Sequence, residues 1–273
     1  NPLALPLPGL AAAAEPRLAD APDNPTLRLA WLDVPRAGGS LRLIAGKLAS
    51  EHEQMLAAYR LKIWLALGVV LLAIEAATST EWLLWPAVSL GLIKANYLVL
   101  GASGFQKRSD GRLTPAARWL YAPYLAGAWI NSRLWTRKHP QPDLIVDNVW
   151  LGRIPSAKEQ DSFSAIVDLC AELPINPQGR AYQSIPVLDL IAPTPAECQQ
   201  AAEAIERLCS SGPVLVCCAL GYSRSATAVA AWLLHSGRAA TVEQALTIIR
   251  TARTDVVLHP AHREALEGLP HAR

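Results

Sequence analysis

The chain is short of charge. Only 18% of its residues are Asp, Glu, Lys or Arg, and 25 basic against 23 acidic side chains leave a net +2. That is too little to hold a polyanion, and nowhere do basic and aromatic residues interleave as a nucleic-acid surface requires, so no nucleic-acid partner is expected. Paired cysteines are also missing. Cys170, Cys198, Cys209, Cys217 and Cys218 include no Cys-x-x-Cys and no His/Cys cluster at zinc spacing. No metal or other cofactor is therefore expected, and the setting reads as reducing. A secretory signal, with a basic stretch, a short apolar core and a small-residue cleavage site, is not visible. Apolar residues, in contrast, make up 51% of the 273. They gather between residues 61 and 101, which argues for two unequal parts rather than one ordinary domain.

Residues 1–57 read as a Pro/Ala-rich linker or as the remnant of an upstream domain. Pro2, Pro6, Pro8, Pro16, Pro22, Pro25 and Pro35 interrupt any helix there. Residues 58–104 hold two apolar runs, 63–78 and 82–101, the second close to the ~20 residues that a helix needs to cross a bilayer. Arg36, Arg42, Lys47, Arg60 and Lys62 precede the pair, Lys107, Arg108, Arg112 and Arg118 follow it, and only Glu81 stands between the runs. By the positive-inside rule this is a transmembrane hairpin with both flanks in the cytoplasm. Lys94 in the second run is costly in lipid unless it reaches the interface or pairs with Glu75. Residues 105–140 are a basic aromatic juxtamembrane segment. Its core WLYAPYLAGAWINSRLW, residues 119–135, is too short to span; it lies along the membrane surface or packs on the domain that follows. His-Pro-Gln-Pro at 139–142 marks a boundary.

Residues 141–273, about 130 in number, have the size of one compact domain. Apolar runs at 149–152, 165–169, 184–188 and 213–218 read as strands. Helices between them are announced where Ser156, Thr194 and Thr241 stand three residues before Glu159, Glu197 and Gln244. A helix from Pro195 to about Ser210 puts Ala201, Ile205 and Leu208 on one face, and another begins at Arg224. The alternation specifies an α/β sheet flanked by helices.

The segment PVLVCCALGYSRSATAVAAWLL, residues 213–234, carries the chemistry. A buried strand ends at Cys218, and the loop Ala219, Leu220, Gly221, Tyr222 and Ser223 leads to Arg224, which opens an apolar helix. A tight loop before a helix N-terminus offers converging backbone N–H groups and the positive end of the helix dipole to a phosphate. The same field lowers the pKa of a cysteine at the loop's start and so supplies a thiolate nucleophile. Arg224 presents two parallel donors to phosphoryl oxygens. Gly221 allows a turn that a Cβ would obstruct. Ser225 can donate a hydrogen bond to the sulfur when it leaves.

With these residues in place, the segment resembles the cysteine-dependent protein tyrosine phosphatase superfamily, and within it the dual-specificity phosphatases. The resemblance covers roughly residues 149–266. The family signature usually reads His-Cys-x5-Arg-Ser/Thr, and here Cys217 stands where the His is usual. The resemblance implies a dual-specificity-phosphatase-like sheet and a cysteinyl-phosphate intermediate. It also implies a general-acid Asp on an upstream loop, a place that Asp189 in IPVLDLIAP fits. Asp168, farther upstream, is given a structural role; if Asp189 fails as the acid, Glu172 or Glu197 is next. The whole arrangement is similar to the C-terminal part of bacterial membrane proteins that join a phosphatidic-acid-phosphatase-like domain to a dual-specificity phosphatase. The implied location is the bacterial inner membrane, with the catalytic domain in the cytoplasm.

The expected activity is hydrolysis of phosphate monoesters, with phosphotyrosine, phosphoserine or phosphothreonine in protein as substrate. An alternative within the enzyme class is a membrane lipid phosphomonoester such as phosphatidylglycerol phosphate. The loop carries no Lys or Arg besides Arg224, which disfavours polyphosphorylated lipids. From another class, the domain would be a non-catalytic phosphate-binding module if Cys217 leaves Cys218 sluggish.

Overall fold

The structure, a computed structural model, describes residues 83–269, residue 74, and the backbone of three strands: β1 (Arg17–Ala21), β2 (Asn24–Arg36) and β3 (Gly39–Leu48). The chain divides after residue 60 into two units. In the first, the three strands form an antiparallel sheet in the order β1-β2-β3, with β2 and β3 in register from Leu27 opposite Leu48 to Arg36 opposite Gly39. This sheet lies inside the segment expected to be a linker or a domain remnant. The prolines that argue against a helix are compatible with it, since Pro25 and Pro35 fall beside the ends of β2. Between them TLRLAWLD alternates in a strand-like way.

In the second unit, the first apolar run with Glu75 lies outside the described residues, apart from residue 74. The second run forms α1 (Leu84–Ala95), which continues through a π-type turn to Leu100 and a 3-10 turn to Phe105. Among the described residues this is the one helix long and apolar enough to cross a membrane. It packs against α2 (Pro115–Leu120) and α3 (Ala122–Trp135). Buried Asn96 donates to the Tyr121 hydroxyl (3.1 Å), and that hydroxyl donates to the Gly104 carbonyl (2.8 Å), so these two side chains are satisfied inside the helical layer. Ile93, Phe105, Leu113 and Tyr121 then close on Ala171 and Leu188 of the following domain.

Lys107, expected as part of a solvated basic flank, turns inward instead. Its Nζ donates to Asp168 Oδ2 (2.6 Å) and to the carbonyls of Cys170 (2.6 Å) and Leu173 (2.8 Å), so all three donors of the ammonium are used. The 119–135 segment packs on the domain by one side, with Leu125 and Ala128 against Ile154, Cys170 and Leu173. Its other side leaves Trp119, Ile130, Leu134 and Trp135 exposed.

The domain itself is a mixed five-stranded sheet in the order β4-β5-β8-β6-β7: β4 (Asp143–Val146), β5 (Val149–Arg153), β6 (Ala165–Cys170), β7 (Ala181–Val187) and β8 (Val214–Cys218). Only β4 runs antiparallel to its neighbour. Helices α4 (Pro195–Cys209), α5 (Arg224–His235), α6 (Val242–Ala252) and α7 (Pro260–Glu267) flank the sheet, as the α/β pattern requires. Val214, Val216 and Cys218 of β8 join the cluster with these helices, while Leu215 and Cys217 join Phe163, Ile166 and Ile175 in another, the alternation of a strand buried on both faces. Thr194 and Glu197 make a complete capping box on α4. Ser156 and Glu159 make only half of one, Ser156 N–H donating to Glu159 Oε2 (2.6 Å), and a single 3-10 turn, Lys158–Gln160, follows instead of a helix.

Candidate active site

Central strand β8 delivers Cys218 to its C-terminal end, and α5 begins at Arg224. In a parallel sheet this edge is where loop amides and helix N-termini converge. Gly221, at φ +77°, turns the intervening loop so tightly that a Cβ there would lie 2.4 Å from the Gly152 carbonyl carbon. No other residue fits.

Two donors meet at the sulfur. Cys218 Sγ accepts from the Gly221 N–H (3.2 Å) and from the Ser225 hydroxyl (3.2 Å), and the Arg224 guanidinium adds favourable charge. Burial alone would raise the thiol's pKa, and it is the largest single influence. Arg224, the Ser225 hydroxyl and the backbone N–H groups of Ser225 and Gly221 together outweigh it, so Cys218 titrates below the ordinary thiol range. Cys217 goes the other way. Burial, then the nearby Asp168 carboxylate, push it well above that range, and it is a neutral thiol. Both cysteines are free, and their membership of different packing clusters reflects side chains on opposite faces of β8.

Arg224 is buried with its guanidinium ordered on two sides. Nη1 donates to both carboxylate oxygens of Glu172 (3.1 and 2.9 Å) and to the Val187 carbonyl (2.6 Å); Nη2 donates to Asp189 Oδ1 (3.0 Å). Glu172 also accepts from the Cys170 thiol (2.9 Å) and from the Asp189 backbone N–H. Burial favours its neutral form, but Arg224 and the Cys170 thiol favour the carboxylate more, and its pKa is lowered. Arg224 is correspondingly raised, burial opposing and Glu172 then Asp189 supporting its charge.

The structure thus brings Cys218, Ala219, Leu220, Gly221, Tyr222, Ser223, Arg224, Ser225 and Asp189 to one place. Asp189 is half-buried on the loop after β7. The next residue, Leu190, has φ +63°, an unfavourable conformation for a side chain with a Cβ, and such strain concentrates at functional loops. Glu172 and Glu197, the alternative acids, are otherwise engaged: one is buried under Arg224, the other is bound to Thr194 in the α4 cap. Asp168 holds Lys107, the Tyr182 hydroxyl (2.8 Å) and the Cys170 N–H (2.8 Å). Glu172 as the anchor of Arg224 was missed from the sequence. Its one signal there is that it is one of two acids, with Asp168, in the apolar stretch AIVDLCAEL.

The family profile of the dual specificity phosphatase catalytic domain matches residues 149–268. No curated protein matches the chain. Among solved structures, Tk-PTP in its active form is 29% identical at a TM-score of 0.44, over 48% of this chain and 97% of its own. PTPMT1 is 23% identical at 0.42, over 46% and 90%, and human DUSP28 is 22% identical at 0.40, over 47% and 91%.

Proposed function

We propose, from the match of residues 149–268 to the dual specificity phosphatase catalytic-domain family, a family of cysteine-dependent phosphatases, that this chain hydrolyses phosphate monoesters on protein Tyr, Ser or Thr side chains, with Cys218 as nucleophile. The observation that carries the assignment is the convergence of the Gly221 N–H and the Ser225 hydroxyl on the Cys218 sulfur, in the field of the Arg224 guanidinium. The thiolate attacks phosphorus, and the bond from phosphorus to the ester oxygen breaks. Asp189 delivers a proton to that oxygen, which leaves as an alcohol or phenol. Asp189, now a carboxylate, takes a proton from water as the water oxygen attacks the cysteinyl phosphate. The sulfur departs as thiolate under the Ser225 hydroxyl, and inorganic phosphate is released. Throughout, Arg224 and the amides of loop 219–223 hold the equatorial oxygens. Before substrate enters, the Asp189 carboxylate occupies Nη2 of Arg224; the phosphate takes that position, and the freed carboxylate takes up a proton from solvent before it acts as the acid.

A second substrate class, a lipid phosphomonoester, is favoured by a specific surface feature. Leu190 and Ile191, directly after Asp189, are exposed, as are Leu98, Val99 and Leu100 directly after Tyr97. Leu188 and Tyr97 pack in one cluster, so these apolar side chains flank a common contact. Trp85 stacks on Trp119 with ring centroids 5.4 Å apart, and Arg108, Arg112, Arg118, Arg137 and Lys138 are exposed on the same segment. Apolar and aromatic surface beside basic side chains suits an anionic bilayer. We place the protein at the bacterial inner membrane, anchored by the 58–104 hairpin, with the catalytic domain in the cytoplasm. Assaying one phosphotyrosyl peptide against one lipid phosphomonoester in mixed micelles tests the substrate. Preference for the peptide supports the first class, preference for the micelle supports the second, and turnover of neither, nor of p-nitrophenyl phosphate, removes the phosphatase assignment.

A further inference from the structure

We propose that Ser132, on α3 and upstream of the matched catalytic segment, is a positioning residue of the active site that fixes the first peptide of the phosphate loop. The proposal rests on the phosphatase reading above. In a trans peptide the C=O and the following N–H point in opposite directions. The Ser132 hydroxyl donates to the Ala219 carbonyl at 2.6 Å, so the Leu220 N–H is turned away from α3, toward where the phosphate sits.

The same device recurs along the loop. The Gly221 carbonyl accepts from Arg253 Nε (3.1 Å) and the Tyr222 carbonyl from the Val257 N–H (3.0 Å), which turn the N–H groups of Tyr222 and Ser223 the opposite way. A loop whose carbonyls were not held would be free to rotate a negative oxygen toward a dianion. Held carbonyls leave the donors aimed before substrate arrives, which is what electrostatic preorganisation requires.

Ser132 is suited to this in ways that chance contact would not produce. It is 1% exposed. A helical serine commonly turns its hydroxyl back to the carbonyl four residues earlier, but here the one donor proton crosses to a residue 87 positions away. Its own carbonyl accepts from the Thr136 hydroxyl (2.7 Å), whose oxygen accepts from Arg153 Nη1 (2.7 Å), and Arg153 Nη2 is paired with Glu159 (2.7 Å). The network ties α3 to the end of β5, against which Gly221 is packed. A helix outside residues 149–268 thereby becomes part of the catalytic apparatus.

The test uses the full chain with Ser132→Ala, Ser132→Thr and Asn131→Ala, the last an exposed position on the same helix. Turnover of p-nitrophenyl phosphate, inhibition by inorganic phosphate, and the pH dependence of Cys218 alkylation by iodoacetamide are measured, with thermal unfolding as a check on folding. Ser132→Ala is expected to lower kcat and weaken phosphate inhibition each roughly tenfold, short of the ~10² to 10³ lost when a donor is removed outright. It is also expected to move alkylation to higher pH. Ser132→Thr, which keeps the hydroxyl, recovers most of all three, and Asn131→Ala changes none. Values for Ser132→Ala within about twofold of wild type in every readout would overturn the proposal, as would equal losses in Ser132→Thr or Asn131→Ala. If Ser132→Ala does not fold, the threonine variant decides: wild-type turnover supports the hydroxyl's role and loss refutes it. An inactive wild type would count against the phosphatase reading instead.

Discussion

Arg224 cannot be read as a free phosphate clamp, because each terminal nitrogen already has a carboxylate. Glu172 is the permanent partner, as buried as Arg224 itself, and Asp189, 43% exposed, is the exchangeable one. The difference gives each carboxylate a distinct expected behaviour. Glu172→Gln should destabilise the fold by about 3 kcal/mol, the lower end for breaking a buried ion pair, since the amide keeps the shape but not the charge; urea unfolding at neutral pH measures it. Glu172 is held below its ordinary carboxylate value, so the stability it adds is present above the unfolded value of about 4.3 and fades as pH falls through the folded one. The variant should therefore lose less stability on acidification than wild type; an equal loss would mean that Glu172 does not carry the acid sensitivity. Asp189→Asn should behave otherwise. If Asp189 protonates the leaving oxygen, the variant slows tyrosyl and alkyl phosphates by ~10² to 10⁴ while sparing activated aryl esters that depart unaided. An equal loss on both substrate types would reduce Asp189 to a loop-positioning residue.

Lys107 joins the helical layer of α1 to α3 to the sheet, and it does so at the end of β6, on both sides of Glu172: Asp168, Cys170 and Leu173 all hold it. Replacing it with Met leaves Asp168, fully buried, without its cation. Lys107→Met should cost about 3–5 kcal/mol, and adding Asp168→Asn should restore part of that loss, the coupling expected of a direct pair; strictly additive losses would contradict it. How much of this was legible in the chain follows from the range of the contacts. Strands β5, β6 and β8 and helices α4 and α5 announce themselves because period-2 and period-3.6 patterns, capping residues and the run from Cys218 to Arg224 are local. Strand β7 begins three residues earlier than its apolar core suggests, because Ala181, Tyr182 and Gln183 pair with β6 without being fully buried. The roles of Glu172, Lys107 and Ser132 are absent from the sequence because each is defined by a partner dozens of positions away, and a lone acid, base or hydroxyl carries no mark of such a partner. Strands β1 to β3 were obscured by the proline content around them.

The helical layer and the catalytic sheet belong to one unit, 61–273, and the same layer carries both the contacts to the active site and the exposed apolar and basic surface. The proposed membrane attachment and the catalytic site are then assigned to one body rather than to a tether and a passenger. Protease added to intact spheroplasts should leave residues 141–273 uncut, and lysis should expose them; digestion before lysis would reverse the proposed orientation. All of this depends on the chemistry at one sulfur. The decisive measurement is an acid quench during turnover of p-nitrophenyl phosphate, followed by mass spectrometry of the peptide carrying Cys218. A phosphate adduct on Cys218 in wild type, with turnover abolished and phosphate binding retained in Cys218→Ser, is the expected result. Turnover that persists in Cys218→Ser, or that proceeds in wild type while every quenched sample shows Cys218 unmodified, would contradict it.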